Sequence, residues 1–507
     1  MPRTDNADNA ENTNNTENTD NTDSADNADS ATPSPRRIVI IGGSLAGLLA
    51  AAATAEHADE VIVLERDTLP VGPQPRIGLP QASHVHLLWS GGARAMEALL
   101  PGTVHALLAA GARRVPVPTD MVAYAPRGWF RRWNRPTSHY VMTCSRDLLD
   151  SVIRSRIRPH PRITIREQTQ VLGLTGGRRQ ITGVRVRTRD GVAGTIRASL
   201  VIDASGRGSR APQWLAALGA PRPDERSVDS GLVYASRTYR APDGTPHFPI
   251  VNVQADPRGP GPGRSAALLP IEQGRWLVTL AGTRGGEPSG DPDAFLAFAW
   301  SLRHPIVGDL IAGAKPLTEV TVTRSTVNRR RFYERMKNPP EGFAVLGDAV
   351  ASYNPVYGHG MSVAAQGALA LRETLRRHVP GTPGLTRTLQ QELARPVSAA
   401  WSLATSQDAL YPGTGRRPSA VERIQAAYAS RLQLVSASNY RVAVALTDVM
   451  SLQRPASRLL RPDVVLAALL GPQFTPLDGP PLTRAELAVA HGRTEGPWSA
   501  PEGPSPT

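Results

Sequence analysis

The chain has 507 residues, 40% of them hydrophobic, with a formal net charge of +13 and a single cysteine, Cys144. That length allows two domains around one large core, and the apolar fraction is ordinary for a soluble protein. One cysteine excludes an intrachain disulfide. With no signal-peptide pattern at the start, it predicts a reducing, cytoplasmic setting.

Residues 1–30 carry eight acids and one base, a net −7, which leaves +20 for the rest of a chain totalling +13. All basic residues but Lys315 and Lys337 are arginines. The excess reads either as solvated surface or as attraction for anionic ligands such as a dinucleotide, a carboxylate or an acidic carrier protein. No nucleic-acid motif accompanies it.

In chain order, residues 1–35 repeat Asp, Asn, Glu and Thr with almost nothing to bury, which predicts a disordered tail. "RRIVIIGGSLAGLLAAAATA" (36–55) then reads as strand, glycine turn and helix, and "EVIVLERD" as the next strand. Gly42, Gly43, Ser44 and Gly47 interrupt this strongest apolar run and exclude a membrane span there. "HVHLLWSGGARAMEALL" (84–100) and "SRDLLDSVIRSRI" (145–157) predict helices. Residues 163–188 predict strands broken at a Gly-Gly turn, and "SLVIDASGRGS" (199–209) a buried strand entering a glycine loop. From 229 to 283 the pattern is β, after Gly360 mainly helical to about 470, and 476–507 are Pro-rich and expected to be loose.

The expected fold is α/β: a Rossmann-like nucleotide-binding domain from discontinuous segments (36–115, 140–225 and 335–378), an inserted β-sheet substrate domain (116–139 and 226–334) and a C-terminal helical region (379–475).

The turn "GGSLAG" (Gly42, Ser44, Leu45, Ala46, Gly47) between strand and helix lets a phosphate approach the helix N-terminus. Glu65, 18 residues after Gly47 and followed by Arg66, stands where an acid binds a ribose hydroxyl pair. An acid there favours an adenosine without a 2′-phosphate, as in FAD or NAD. The second anchor is "GFAVLGDAVASYNPVYGHGMS" (342–362). A chain that binds only NAD needs no such anchor 300 residues downstream, whereas the longer FAD does. Asp348 can accept a ribityl hydroxyl. Gly358 and Gly360 let backbone lie against a ring, Pro355 stiffens the loop beside its reactive face, and the helix after Gly358-His359-Gly360, with Met361, aims free N–H groups at the ring edge that becomes negative on reduction.

The order of GGSLAG, "DASGRGS" with Gly206, then Gly-Asp, Asn-Pro and Gly-x-Gly resembles the single-component flavoprotein monooxygenases of the aromatic-hydroxylase fold. "RIGLPQASHVHLLWSGGAR" (76–94), "RSTVNRR" (324–330) and "NPVYGHGMS" (354–362) resemble the flavin-dependent epoxidases of polyether ionophore biosynthesis, over about residues 36–475. The resemblance implies epoxidation of a linear polyene polyketide through a C4a-hydroperoxyflavin, with O2 and NADPH or NADH. The substrate would be hydrophobic, free or held by an acyl carrier protein. It also implies Arg76 near the pyrophosphate and the incoming nicotinamide, Arg146 reaching FAD and Val171 beside the adenine. With the flavin carrying the chemistry, Arg76 and Pro355 are the only side chains that suggest themselves as catalytic.

The chain departs from that pattern in having Ser205 before Gly206 where aromatic hydroxylases carry Asp-Gly, and Ala351 where they often carry His. Flavin halogenases share the Ser-Gly loop but need an early lysine and a Trp-x-Trp pair, neither of which is present. A polyprenyl-type alkene reductase would use the same fold. A phenol hydroxylase would need a deprotonating group, for which Tyr234, Tyr239 and His247 are candidates. His84 and His86 lack further partners for a metal set, so no metal is expected and the pair reads as flavin-side or packing residues. "RGWFRRWNRP" (127–136) reads as an exposed loop or as a substrate mouth.

Overall fold

The computed structural model describes residues 35–491, apart from 244, 246, 412, 413 and 415–419. The expected acidic tail lies outside the described residues. The fold is mixed α/β, as expected, and begins with a five-stranded sheet drawn from distant segments. Its strand order is Phe343–Val345, Leu200–Asp203, Arg37–Ile41, Glu60–Leu64 and Ile163–Arg166. Every pairing is parallel, with Ile38 opposite both Leu200 and Val61. Parallel strands covered on both faces read as continuous apolar runs, which is why "IVII" and "VIVL" show no polar alternation. Ile38 and Ile40 pack beneath the helices Leu45–Thr54, Ser90–Leu99, Arg146–Ile157 and Gly360–Leu375. Val39 and Ile41 face a second core built with the antiparallel hairpin Thr169–Thr188.

The inserted β-rich part is a seven-stranded sheet in the order Thr321–Thr323, Val233–Arg240, Arg275–Gly282, Arg264–Ile271, Ile250–Val253, Met121–Ala125 and Gly128–Trp129. Trp276, Val278 and Leu280 bury one face against the helices Pro292–Trp300 and Ile306–Ile311. Helices follow from Leu385–Asp408 to Pro462–Leu470. No helix among the described residues is long and apolar enough to cross a membrane.

Three expectations change. The helix expected over 84–100 begins only at Ser90. Residues before it are held extended, because Val85 donates to Thr279 Oγ1 and Leu88–Trp89 pair with Val141–Met142. Of the Pro-rich end expected to be loose, the described part is anchored: Leu477, Leu482 and Val489 pack on the large sheet's core, and Arg484–His491 is helical; residues 492–507 lie outside the described residues. The Arg-Trp loop at 127–136 is a clasp for that segment. Arg132 Nη1 meets Glu486 at 2.5 Å, and Trp133 meets Tyr440 edge-on and lies near Phe474.

Candidate active site

The carboxyl ends of the parallel strands converge on one edge, the usual crevice of such sheets. There Ile41 runs into Gly42, Leu64 into Glu65, Asp203 into the loop 204–208 and Val345 toward Gly347-Asp348; Ile41, Gly42, Leu64, Glu65, residues 204–208 and Asp348 border one cavity of about 660 Å³. Gly42 has φ +103°, and a Cβ on it would sit 2.7 Å from the Ala204 carbonyl oxygen. Gly47 is the one expected cofactor-binding residue that does not line the cavity. A Cβ there would run into the carbonyl of Gly42, so this glycine lets the helix pack onto the turn.

Four buried charges alternate at one wall, three of them, Glu65, Arg76 and Arg146, bordering the cavity and Asp150 set behind them. Glu65 Oε2 accepts from Gly43 N at 2.8 Å and pairs with Arg76 at 2.9 Å. Arg76 reaches Asp150 at 3.9 Å, and Asp150 takes Arg146 Nε at 2.8 Å. Arg146 in turn donates to Ser44 Oγ at 3.0 Å. Arg76 Nε is buried with no partner. Ser44 makes no side-chain cap, so the first N–H groups of the helix it precedes face the cavity unclaimed. The wall suits a dinucleotide pyrophosphate: spare donors, a helix N-terminus and a turn only glycine can make.

At the other end stands Asp348. Burial pushes its carboxyl above the ordinary range, while Arg207, Arg146 and Arg329 pull it back. Gly360, first residue of the helix Gly360–Leu375, lies beside it: a Cβ there would be 3.8 Å from Asp348 Oδ1. Gly358 has φ +63°, and its missing Cβ would sit 2.9 Å from Leu87. Asn354 caps the short turn Pro355–Tyr357 through Val356 N at 3.1 Å.

Gly42, Ser44, Leu45, Ala46, Glu65, Arg66, Arg76, Arg146, Val171, Gly206, Asp348, Pro355, Gly358, Gly360 and Met361 all border the cavity. Sequence reasoning missed Arg207, Thr323 and Ser325, which border it as well. Arg207 sits inside the quoted "DASGRGS" but was overshadowed by its glycines; it donates to Val327 O and Tyr353 O at 3.1 and 3.3 Å. Also missed was Asp408. It accepts from Asn328 Nδ2 at 2.5 Å, Tyr357 OH at 2.7 Å and Asn354 Nδ2 at 3.0 Å.

Tyr234, Tyr239 and His247 do not line the cavity. Tyr234 OH instead donates to Asn354 Oδ1 at 3.1 Å, and burial with the nearby Asp408 holds its phenol well above its ordinary value. His84, His86 and His359 do line it, and burial pushes each to about 4. Among the described residues no group of three or more His, Cys, Asp or Glu could hold a metal ion.

The family model described as the FAD binding domain matches residues 36–400. The chain belongs to that family. It is an FAD-dependent monooxygenase of the aromatic-hydroxylase type, and FAD is its cofactor. Among curated relatives, Protein Rv3254 of Mycobacterium tuberculosis is 31% identical over 72% of this chain and 78% of its own length. Kynurenine 3-monooxygenase of Salinispora arenicola is 27% identical over 68% of this chain and 73% of its own. The solved structure of the flavin-dependent brominase Bmp2 superposes with a TM-score of 0.60 at 15% identity, over 82% of this chain and 92% of that one. That last likeness speaks for the fold.

Proposed function

We propose that this monooxygenase epoxidises alkenes of a linear, hydrophobic polyene polyketide, free or carrier-bound, with reducing equivalents from NADPH or NADH. The observation that carries the reading is chemical. The three histidines bordering the cavity are neutral and, at about 4, weak bases; Tyr234, Tyr239 and His247 do not line it, and burial holds the phenol of Tyr353, which does, above its ordinary value. Oxygen transfer to an electron-rich alkene needs no protein base. The quoted motifs shared with polyether epoxidases point the same way.

Bound FAD supplies the redox chemistry, activating O2 for transfer of one oxygen atom. The chain's residues bind, orient and shield. Glu65 takes the adenosine ribose, with Arg66 and Val171 flanking the adenine. The Gly42–Gly47 turn, Arg76 and Arg146 take the pyrophosphate. Asp348 takes a ribityl hydroxyl, while Gly206, Pro355, Gly358, Gly360 and Met361 lie against the ring system. Residues 36–115, 140–225 and 335–378 then form the FAD part, and 116–139 and 226–334 the part that covers the substrate. Water is kept out by Leu79, Val85 and Leu87 on the cavity wall.

The test supplies ¹⁸O2, NADPH and a model trisubstituted polyene and weighs the product. One labelled oxygen per epoxide supports the reading; a product gaining only hydrogen would defeat it. Ring hydroxylation is the second reading, favoured by the likeness to kynurenine 3-monooxygenase, and label on an aromatic substrate would establish it.

A further inference from the structure

His84 lines the cavity, yet it is held from behind by the large sheet. Its Nδ1 lies 2.7 Å from Ser236 Oγ, and Ser236 Oγ lies 2.6 Å from Thr279 Oγ1. Thr279 Oγ1 also accepts the backbone N–H of Val85 at 2.9 Å. The direction of this chain follows from counting protons. Thr279 already accepts from Val85, and Ser236 is the one described acceptor within reach of its hydroxyl proton. Ser236 then accepts from Thr279 and has its own proton left to donate, and His84 Nδ1 is the acceptor beside it. That places the single proton of the neutral ring on Nε2. The reverse order would leave the buried Thr279 hydroxyl proton without a partner.

His84 Nε2 is buried and has no partner in the protein. The residue is 3% exposed, so a dangling donor there carries a real desolvation cost. The ring lies 5.9 Å from that of Tyr234, whose hydroxyl bonds Asn354 just before Pro355. His84 therefore stands where the large sheet meets the loop assigned to the flavin ring.

We propose that His84 is a positioning residue that presents a fixed Nε2–H to the cavity, as hydrogen-bond donor to a carbonyl oxygen of the molecules bound there. The acceptor is either a carbonyl of the isoalloxazine ring or an oxygen of the substrate. Burial, which holds the ring pKa near 4, keeps it an uncharged donor at neutral pH. The substrate arm rests on the polyene reading; the flavin arm does not.

The experiment uses the FAD-loaded enzyme and the variants His84→Phe, which removes the donor, and His84→Gln, which keeps one near Nε2. In ¹⁵N-histidine NMR of the wild type, His84 should show a protonated Nε2 and a bare Nδ1; the opposite tautomer overturns the proposal. The flavin midpoint potential is then measured, together with the affinities for farnesylacetone and for its analogue with the ketone oxygen replaced by methylene. If the flavin is the acceptor, His84→Phe lowers the potential and His84→Gln restores it. If the substrate is the acceptor, the potential stays and the ketone preference, roughly two- to ten-fold for one hydrogen bond, collapses in His84→Phe and returns in His84→Gln. Neither change, or Gln behaving as Phe, overturns the proposal. Wild-type enzyme that binds neither polyene counts against the polyene reading alone, since the tautomer and the potential are read without it.

Discussion

Gly358 and Asp348 show how closely single residues are specified at the flavin end. A non-glycine residue at φ +63° adopts a left-handed conformation that costs about 1–2 kcal/mol, and a Cβ at 358 would also press on Leu87. Gly358→Ala should therefore reduce the flavin retained after gel filtration, and full retention would show that the loop does not abut FAD. Asp348→Ala removes one charge-assisted hydrogen bond, worth about 1.5–3 kcal/mol, and should weaken FAD affinity roughly ten- to hundred-fold. The pH dependence has a definite sign. Burial raises the Asp348 carboxyl in the free protein, and a ribityl hydroxyl donating to it favours the ionised form. FAD affinity should thus fall as pH drops through that raised value. Asp348→Asn should flatten the dependence, and an unchanged slope in fluorescence titrations would rule Asp348 out as the ligand. Both residues were legible in the sequence, since a strand, an acid and paired glycines are local signals. Arg207 was not, because what defines its place is the carbonyls of Val327 and Tyr353 more than a hundred residues away.

Among elements, the loop that carries Pro355 is held from outside its own segment. Asp408, the last residue of the helix Leu385–Asp408, gathers donors from Asn354, Tyr357 and Asn328, and Ser230 stands at 3.4 Å. Asp408→Ala would strand these buried donors at a cost of roughly 1–3 kcal/mol each. It should lower the melting temperature by several degrees and loosen flavin binding together with it; a variant as stable as the wild type would show that the network is dispensable. No spacing in the sequence announces it, because its members come from four distant segments. The same applies at 84–89, where helical periodicity lost to partners on the sheet. The C-terminal segment misled through composition: prolines and glycines hid Leu477, Leu482 and Val489, which seat it on the core. Ending the chain after residue 476 should expose that core and strip Arg132 of Glu486. A clear drop in melting temperature is expected, and none would be seen if the segment merely rested on the surface.

At the scale of the whole molecule, the overall plan was readable because each parallel strand is a short apolar run ending in its own turn signal. What the runs could not show is how much ionisable chemistry folding seals inside. His359 is 1% exposed, and its Nε2 donates to the Met450 carbonyl at 3.0 Å. Burial is the main cause holding its pKa near 4, against 6.5 in an open chain. A depressed histidine contributes stability that is complete above the unfolded value and is lost as pH falls from 6.5 toward 4, because only the unfolded chain binds the proton there. The buried carboxylates run the other way. Burial raises Asp203, Asp348 and Asp408, so acidification through their raised values favours the fold. The wild-type profile is a sum of opposing slopes, and the difference between wild type and a variant isolates one of them. His359→Gln keeps a donor for Met450 and removes the titration. The wild type's free energy of unfolding by denaturant minus the variant's should fall as pH drops from 6.5 to 4, by about one proton's worth or ~1.4 kcal/mol per pH unit. Parallel curves for the two proteins would mean that His359 takes up its proton in the folded state as readily as in the open chain.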